Sequence, residues 1–324
     1  MGRASARLNV FSGVTNPMKY CYANRRQAAF PDVYSTWSAR PSHFSDAWLR
    51  SVSKYGYEGL EVGANALSLL DGASEVEEFK NRFEGFGVPI VAVRAGGSLI
   101  EAKSATRNLD VLRRSVDYAE GVGSSLVVGN LMAPQRYLPA GWEATGRTHS
   151  QDSSKDASIY LYERVADSIR PVCDEAADRG ITVAIEMHHA SPVDNSWSAR
   201  LLHDLVDRPN FGINPDIGNV AWEYNEPEET PEENVKALAD VCVYWHCKNV
   251  VRVNHPENER AVAWKVSLED GEMDYRFLMT AMIDANYDGY VAIEGGREGD
   301  QFEMDTRSLN YMRKLEAEVR SEVG

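Results

Sequence analysis

Four acidic or imidazole side chains stand directly after short apolar runs, at widely separated places in the chain. Glu186 closes the run Val183-Ala184-Ile185, and Asp216 follows Ile213-Asn214-Pro215. His246 follows Tyr244-Trp245, and Glu294 closes Ala292-Ile293. Three carboxylates and one imidazole make a hard, oxygen-rich donor set. Such a set suits one divalent cation, with Mn²⁺ expected first and Mg²⁺, Co²⁺, Fe²⁺ or Zn²⁺ as alternatives. Taken singly, each of the four reads equally well as a surface acid or a salt-bridge partner. Taken together, at equivalent positions, they do not. Carboxylates gathered without a cation repel, and a charge at the end of a buried strand needs a partner to offset its desolvation. His188 lies two residues beyond Glu186, so an extended chain gives both the same face. An imidazole there can act as a general base near neutral pH. The plainer reading, a hydrogen-bonding support, suits His189 better.

The elements that must position these residues alternate regularly. Apolar runs at 8–11, 59–62, 90–94, 125–129, 182–186, 211–214, 243–248 and 290–294 read as eight strands. Several are continuously apolar, as parallel strands buried on both faces require. Helical periodicity fills the gaps at 46–55, 75–86, 105–121, 159–179, 195–206, 231–240, 274–285 and 305–319. Pro171 inside the fourth helical pattern predicts a kink or a split there. Eight strand–helix units predict a closed (β/α)₈ barrel spanning residues 1–324 as one α/β domain. An open doubly wound sheet is the alternative. However, Ser12-Gly13-Val14-Thr15 after the first run lacks the glycine pattern of a phosphate loop.

Closure of a barrel brings the C-terminal ends of neighbouring strands together, so ligands after strands five to eight converge on one point. Three connections, 12–45, 130–157 and 249–271, are longer than the barrel needs, and all follow strands. They are therefore expected at the catalytic face as lids or interface elements. Arg94, Lys248, Arg252 and Trp222 stand near the same face and are candidate substrate contacts. Arg94 and Glu61 read equally well as an ion pair closing the barrel floor. Lys248 reads equally well as a counter-charge to the acids.

The chain carries 34 Lys and Arg against 49 Asp and Glu, a net charge of −15. That balance disfavours a nucleic-acid partner. The four cysteines form no C-x-x-C pair and do not suggest a disulfide framework. No apolar stretch is long enough to span a bilayer and none resembles a signal peptide, so the cytoplasm is the expected location.

The order Glu, Asp, His, Glu, carried by Ala184-Ile185-Glu186, Asn214-Pro215-Asp216-Ile217-Gly218-Asn219, His246-Cys247-Lys248-Asn249 and Ala292-Ile293-Glu294-Gly295, resembles the xylose-isomerase-like barrels of the sugar phosphate isomerase/epimerase superfamily. The resemblance covers nearly the whole chain. It implies that Glu186, Asp216, His246 and Glu294 bind one divalent metal, and that Glu186 and Glu294 exchange a substrate proton next to a sugar carbonyl. It also implies a substrate contact for Arg252, six residues after the ligand His. Ketose 3-epimerases of the superfamily often carry a His three residues after the Asp, whereas this chain has Asn219. Glu186-x-His188 and the aromatic-rich loops also resemble the large catalytic subunits of bacterial C-glycoside deglycosidases. That likeness implies carbon–carbon cleavage of 3-oxo glycosides with a small β-rich partner subunit. Isomerase, epimerase and lyase outcomes thus share one first step on a small sugar or glycoside, and an oligomer is expected. A metal-dependent endonuclease of the same fold and a non-catalytic metal-binding subunit are the rival readings.

Overall fold

The computed structural model describes residues 16–29, 32–132, 153–189, 191–221, 228–258, 260–295 and 299–323. In chain order its strands are β1 (Lys19–Tyr22), β2 (Arg26–Ala29), β3 (Asp32–Ser35), β4 (Leu60–Gly63), β5 (Ile90–Arg94) and β6 (Leu126–Asn130). They continue with β7 (Thr182–Glu186), β8 (Phe211–Asn214), β9 (Trp245–Cys247), β10 (Asn249–His255), β11 (Arg260–Val266) and β12 (Tyr290–Ile293). Eight of these form one parallel sheet in the order β8-β7-β6-β5-β4-β1-β12-β9. Helices occupy the crossovers, as parallel neighbours require.

The two ends of the sheet meet at a short seam. Ile213 bridges Cys242 in parallel, and the Val243 N–H donates to the Ile213 carbonyl at 3.1 Å. The Asn214 side chain extends this seam by accepting the His246 backbone N–H at 2.9 Å. Gly212 permits the close approach, because a Cβ there would lie 2.4 Å from Val243 Cγ1. The architecture is the expected (β/α)₈ barrel, not an open doubly wound sheet.

Strands β5, β7 and β8 have the bounds read from their apolar runs, whereas the first strand does not. The barrel's first strand is β1, which pairs with β12 and β4; residues 8–11, read as that strand, lie outside the described residues. The hydroxyls of β1 hide its burial. Tyr20 Oη donates to Glu316 Oε2 at 2.8 Å and Tyr22 Oη to Asp305 Oδ2 at 2.6 Å, so polar atoms are satisfied inside the shell. Ile159–Ala177 runs through Pro171 as one helix. The helix Pro231–Leu238 starts where Thr230 and Glu233 form a capping box, with Pro231 in the first turn.

Two apolar layers follow from strand alternation. The larger lies between strands and helices and includes Leu49, Phe83, Leu112, Ile169, Ile185, Leu202, Trp245, Ile293 and Leu309. The smaller fills the barrel, where Cys21, Ala23, Ala92, Ala184 and Ala292 surround Tyr244. Small side chains deep in the barrel leave its C-terminal end to the longer polar groups that come next on the same faces. The expected loop 249–271 is largely the antiparallel hairpin β10–β11, and 12–45 contains β1 and the hairpin β2–β3. Residues 133–152 of the third long connection, and Trp222, lie outside the described residues. No helix among the described residues is long and apolar enough to cross a membrane.

Candidate metal centre

Residue alternation sends Ala184 and Glu186, Tyr244 and His246, and Ala292 and Glu294 inward, while Ile185, Trp245 and Ile293 face the helices. After β8, Pro215 turns the chain and Asp216 begins the short helix Ile217–Val220. Ligand atoms of Glu186, Asp216, His246 and Glu294 then lie within 4.8 Å of one another, and all four residues are buried. His246 Nδ1 faces the carboxylates, at 2.9 Å from Glu186 Oε1, 3.3 Å from Glu294 Oε2 and 3.6 Å from Asp216 Oδ2.

These donors fit a divalent ion. Ligands around one ion at ~2.1 Å lie no more than ~4.2 Å apart, so a contraction of a few tenths of an ångström suffices. Asp216 Oδ1 is a buried oxygen with no hydrogen-bond partner among the described residues, and a buried acceptor is rarely left so. The opposite face of His246 is also prepared. Its Nε2–H donates to Glu61 Oε2 at 2.8 Å, the carboxylate–histidine arrangement that orients a metal-binding imidazole.

The electrostatics describe a centre whose buried carboxylates are balanced by protons and cationic side chains. Burial alone would lower the His246 pKa, but Glu61, Asp216 and Glu186 raise it to about 10. Burial would raise Glu61, yet Arg25, His246 and Arg94 hold it at about 2. Arg94 keeps Glu186 well below the usual carboxylate range despite burial, and Arg25, Lys248 and Lys265 do the same for Glu294. Burial and the neighbouring carboxylates push Asp216 upward against the opposing pull of Lys248.

Lys248 Nζ donates to Asp216 Oδ2 at 2.8 Å, to Asn219 Oδ1 at 2.8 Å and to Glu294 Oε1. Gly218 makes room for it, since a Cβ there would meet Lys248 Cγ at 1.9 Å. Asn219 Nδ2 in turn donates to Met187 O at 3.0 Å, Asp216 Oδ2 at 3.1 Å and Glu186 Oε1 at 3.3 Å. The Asn219 amide thus ties the carboxylates of Glu186 and Asp216 to Lys248. Asn249 roots the following hairpin by donating to Leu268 O at 2.8 Å and Met273 O at 3.2 Å. Within His246-Cys247-Lys248-Asn249 one residue joins the donor set, one packs outward, one supplies a counter-charge and one anchors the hairpin.

Arg94 is an ion-pair partner of Glu186, with Nη1 3.9 Å from Glu61 Oε1. Arg252 lies half-buried on β10, its backbone N–H donating to Glu272 Oε1 at 2.6 Å. His188 is half-buried beside Glu186. Its Nδ1 lies 2.8 Å from the His189 carbonyl, which can only accept, so Nδ1 carries the hydrogen and Nε2 the lone pair. Desolvation holds the His188 pKa down to about 4. His189 Nδ1 donates to Asn219 O at 2.9 Å and supports the loop.

Two cations of the site were not found from sequence. Arg25 pairs with Glu61 and with Glu294 Oε2 at 3.0 Å, and Lys265 on β11 reaches Glu294 Oε1 at 3.5 Å. In the sequence Arg25 stands only within the long connection 12–45 and Lys265 only within 249–271.

Barrel and site together define a class. A profile for the xylose isomerase-like TIM barrel family matches residues 49–315, and the chain belongs to that family. No curated protein sequence matches the chain. Among solved structures it is similar to a xylose isomerase-like TIM barrel protein from Mycobacterium smegmatis in complex with magnesium, at 20% identity and TM-score 0.74, covering 94% of this chain and 98% of that one. An L-ribulose 3-epimerase aligns at 14% identity and TM-score 0.68, over 94% of this chain and 97% of that one. A 3-keto-D-glucoside 4-epimerase from E. coli aligns at 19% identity and TM-score 0.63, over 91% and 99%.

Proposed function

We propose that this protein is a divalent-metal-dependent enzyme that removes a proton from the carbon beside a sugar carbonyl. One observation supports the reading: Glu186, Asp216, His246 and Glu294 present converging donors at the open end of the barrel, with Asp216 Oδ1 unpartnered among the described residues. The oxygen-rich set favours Mn²⁺ or Mg²⁺ over softer ions. A bound ion would polarise the substrate carbonyl and stabilise the enediolate. The names of two structural relatives, L-ribulose 3-epimerase and 3-keto-D-glucoside 4-epimerase, both place the reacting carbon beside a carbonyl, in support of that chemistry.

In this scheme Glu186 and Glu294 approach the substrate from β7 and β12, the geometry needed to take a proton on one face and return one on the other. Arg94 and Arg25 hold the two carboxylates ionised and therefore able to accept. His188 stays neutral at physiological pH and offers its Nε2 lone pair as a third base. That additional base favours a second outcome from the same first step, expulsion of a group from the β-carbon, as cleavage of a 3-oxo C-glycoside requires.

The test is exchange of solvent deuterium into simple ketoses and 3-oxo glycosides by the Mn²⁺-loaded protein. The proposal expects label at a carbon beside the carbonyl and near-complete loss of turnover in Glu294→Gln. Full activity in that variant would sink the scheme.

A further inference from the structure

The four donors stand in two pairs on either side of the barrel's closing seam. On one side, Asp216 follows β8, whose register with β7 sets Asn214 beside Glu186. On the other, His246 lies on β9, which is in register with β12, and the Glu294 N–H donates to the Cys247 carbonyl at 3.0 Å. Parallel ladders therefore fix the spacing within each pair. No such ladder joins β8 to β9 among the described residues. Main-chain bonding across the seam ends short of the donors, where the Val243 N–H donates to the Ile213 carbonyl at 3.1 Å. From there β8 advances one residue to Asn214, while β9 advances three to His246. Main-chain pairing cannot keep step with that offset.

A side chain completes the seam instead. Asn214 is fully buried, and its Oδ1 accepts the His246 N–H at 2.9 Å. Its carbonyl accepts the Asp216 N–H at 2.9 Å, in a three-residue turn centred on Pro215, and the Met187 N–H at 3.0 Å, next to Glu186. One residue thus holds the backbone of Asp216 and His246 directly and that of Glu186 through its neighbour. The amide does so at a cost, because Nδ2 is buried with no hydrogen-bond partner among the described residues. An apolar side chain of similar size would avoid the orphaned donor but deprive the His246 N–H of its acceptor. A carboxylate would supply the acceptor but add another negative charge to the buried acids. An amide of this size accepts here and carries no charge.

We propose that Asn214 is a positioning residue of the metal centre, setting Glu186 and Asp216 at the right separation from His246 and Glu294 by clasping the His246 amide across the seam. The inference rests on the metal-dependent reading above and adds a residue outside the donor set. Its action differs from that of Glu61. Glu61 orients the imidazole ring, whereas Asn214 places the backbone that carries it.

The experiment compares Mn²⁺ binding by the full chain, Asn214→Leu and Asn214→Asp, with each fold checked by thermal unfolding in a chelator. Asn214→Leu keeps the bulk and removes the acceptor. It is expected to bind Mn²⁺ roughly 10–100-fold more weakly, the usual cost of losing support around a metal ligand. The fine structure in the paramagnetic resonance spectrum of the bound ion should also change, because it reports the arrangement of the ligands. Asn214→Asp keeps the acceptor and is expected to bind at least as tightly as the unmodified chain. A side chain that served packing alone would shift the unfolding temperature and leave affinity and spectrum unmoved. Unchanged affinity or an unchanged spectrum in Asn214→Leu overturns the proposal, as does an Asn214→Asp protein that binds as weakly as Asn214→Leu. If Asn214→Leu does not fold, Asn214→Ser, too short to reach the His246 amide, takes its place with the same two outcomes. An unmodified chain without tight Mn²⁺ binding removes the metal-dependent reading. Tight binding that Asn214→Leu matches removes this inference alone.

Discussion

Glu61 offers a sharp test of the proposed centre, because it touches the His246 imidazole and is not itself one of the four proposed ligands. It is 3% exposed, accepts the His246 Nε2–H at 2.8 Å and pairs with Arg25. Glu61→Gln keeps the shape and removes the charge. Loss of such an orienting carboxylate costs roughly 10–100-fold in metal affinity, or about 1.4–2.7 kcal/mol. Breaking a buried charge cluster by removing one partner also destabilises the metal-free fold by roughly 3–5 kcal/mol. The two effects separate experimentally. Chelator competition reads metal affinity, and thermal unfolding in a chelator reads the fold. The acid limb gives a third reading. Glu61 is held at about 2 against an ordinary 4.5, so its contribution is present above pH 4.5 and lost as pH falls through 2. At 1.36 kcal/mol per pH unit that contribution is about 3 kcal/mol, and Glu61→Gln should flatten the acid limb accordingly. A Glu61→Gln protein with unchanged metal affinity would refute the reasoning that this carboxylate orients His246.

Gly218→Ala places a methyl on the path of the Lys248 side chain; overpacking of this kind costs about 1–3 kcal/mol, read by thermal unfolding, and Lys248 should leave Asp216. Metal binding at neutral pH should displace the proton that His246 holds with a pKa raised to about 10. Affinity should therefore rise with pH below that value, and calorimetry in buffers of different ionisation enthalpy should detect the proton released. Saturating Mn²⁺ should raise the melting temperature, with a stabilisation of about 2.7 kcal/mol at a hundredfold excess over Kd, and a chelator should reverse it.

The cluster was legible in the sequence because Glu186, His246 and Glu294 end short apolar runs and Asp216 stands two residues beyond another. Glu186 and Glu294 continue the inward face of an alternating run, and His246 follows two buried aromatics. The supporting cations were not legible, because their role depends on where distant elements are placed. Arg25 follows β1, a four-residue strand whose tyrosine hydroxyls disguise its burial, while the apolar run 8–11 reads as the first strand. Lys265 sits on β11, part of a hairpin outside the barrel. The alternation of Val251 and Val253 with Arg252 and Asn254 marks such a strand, but no barrel position was left for it. Asn219 was legible only as a departure from the epimerase pattern. Its hydrogen bonds, which join the Glu186 and Asp216 carboxylates to Lys248, needed coordinates.

The central claim is that one divalent ion is held by Glu186, Asp216, His246 and Glu294. Equilibrium Mn²⁺ binding to the purified full chain, followed by the paramagnetic resonance of the free ion, tests it most directly. The account predicts one tightly bound Mn²⁺ per chain, and loss of that site in Asp216→Asn while the variant stays folded by circular dichroism. Absence of tight binding, or a folded Asp216→Asn protein that binds Mn²⁺ as well as the unmodified chain, would contradict it.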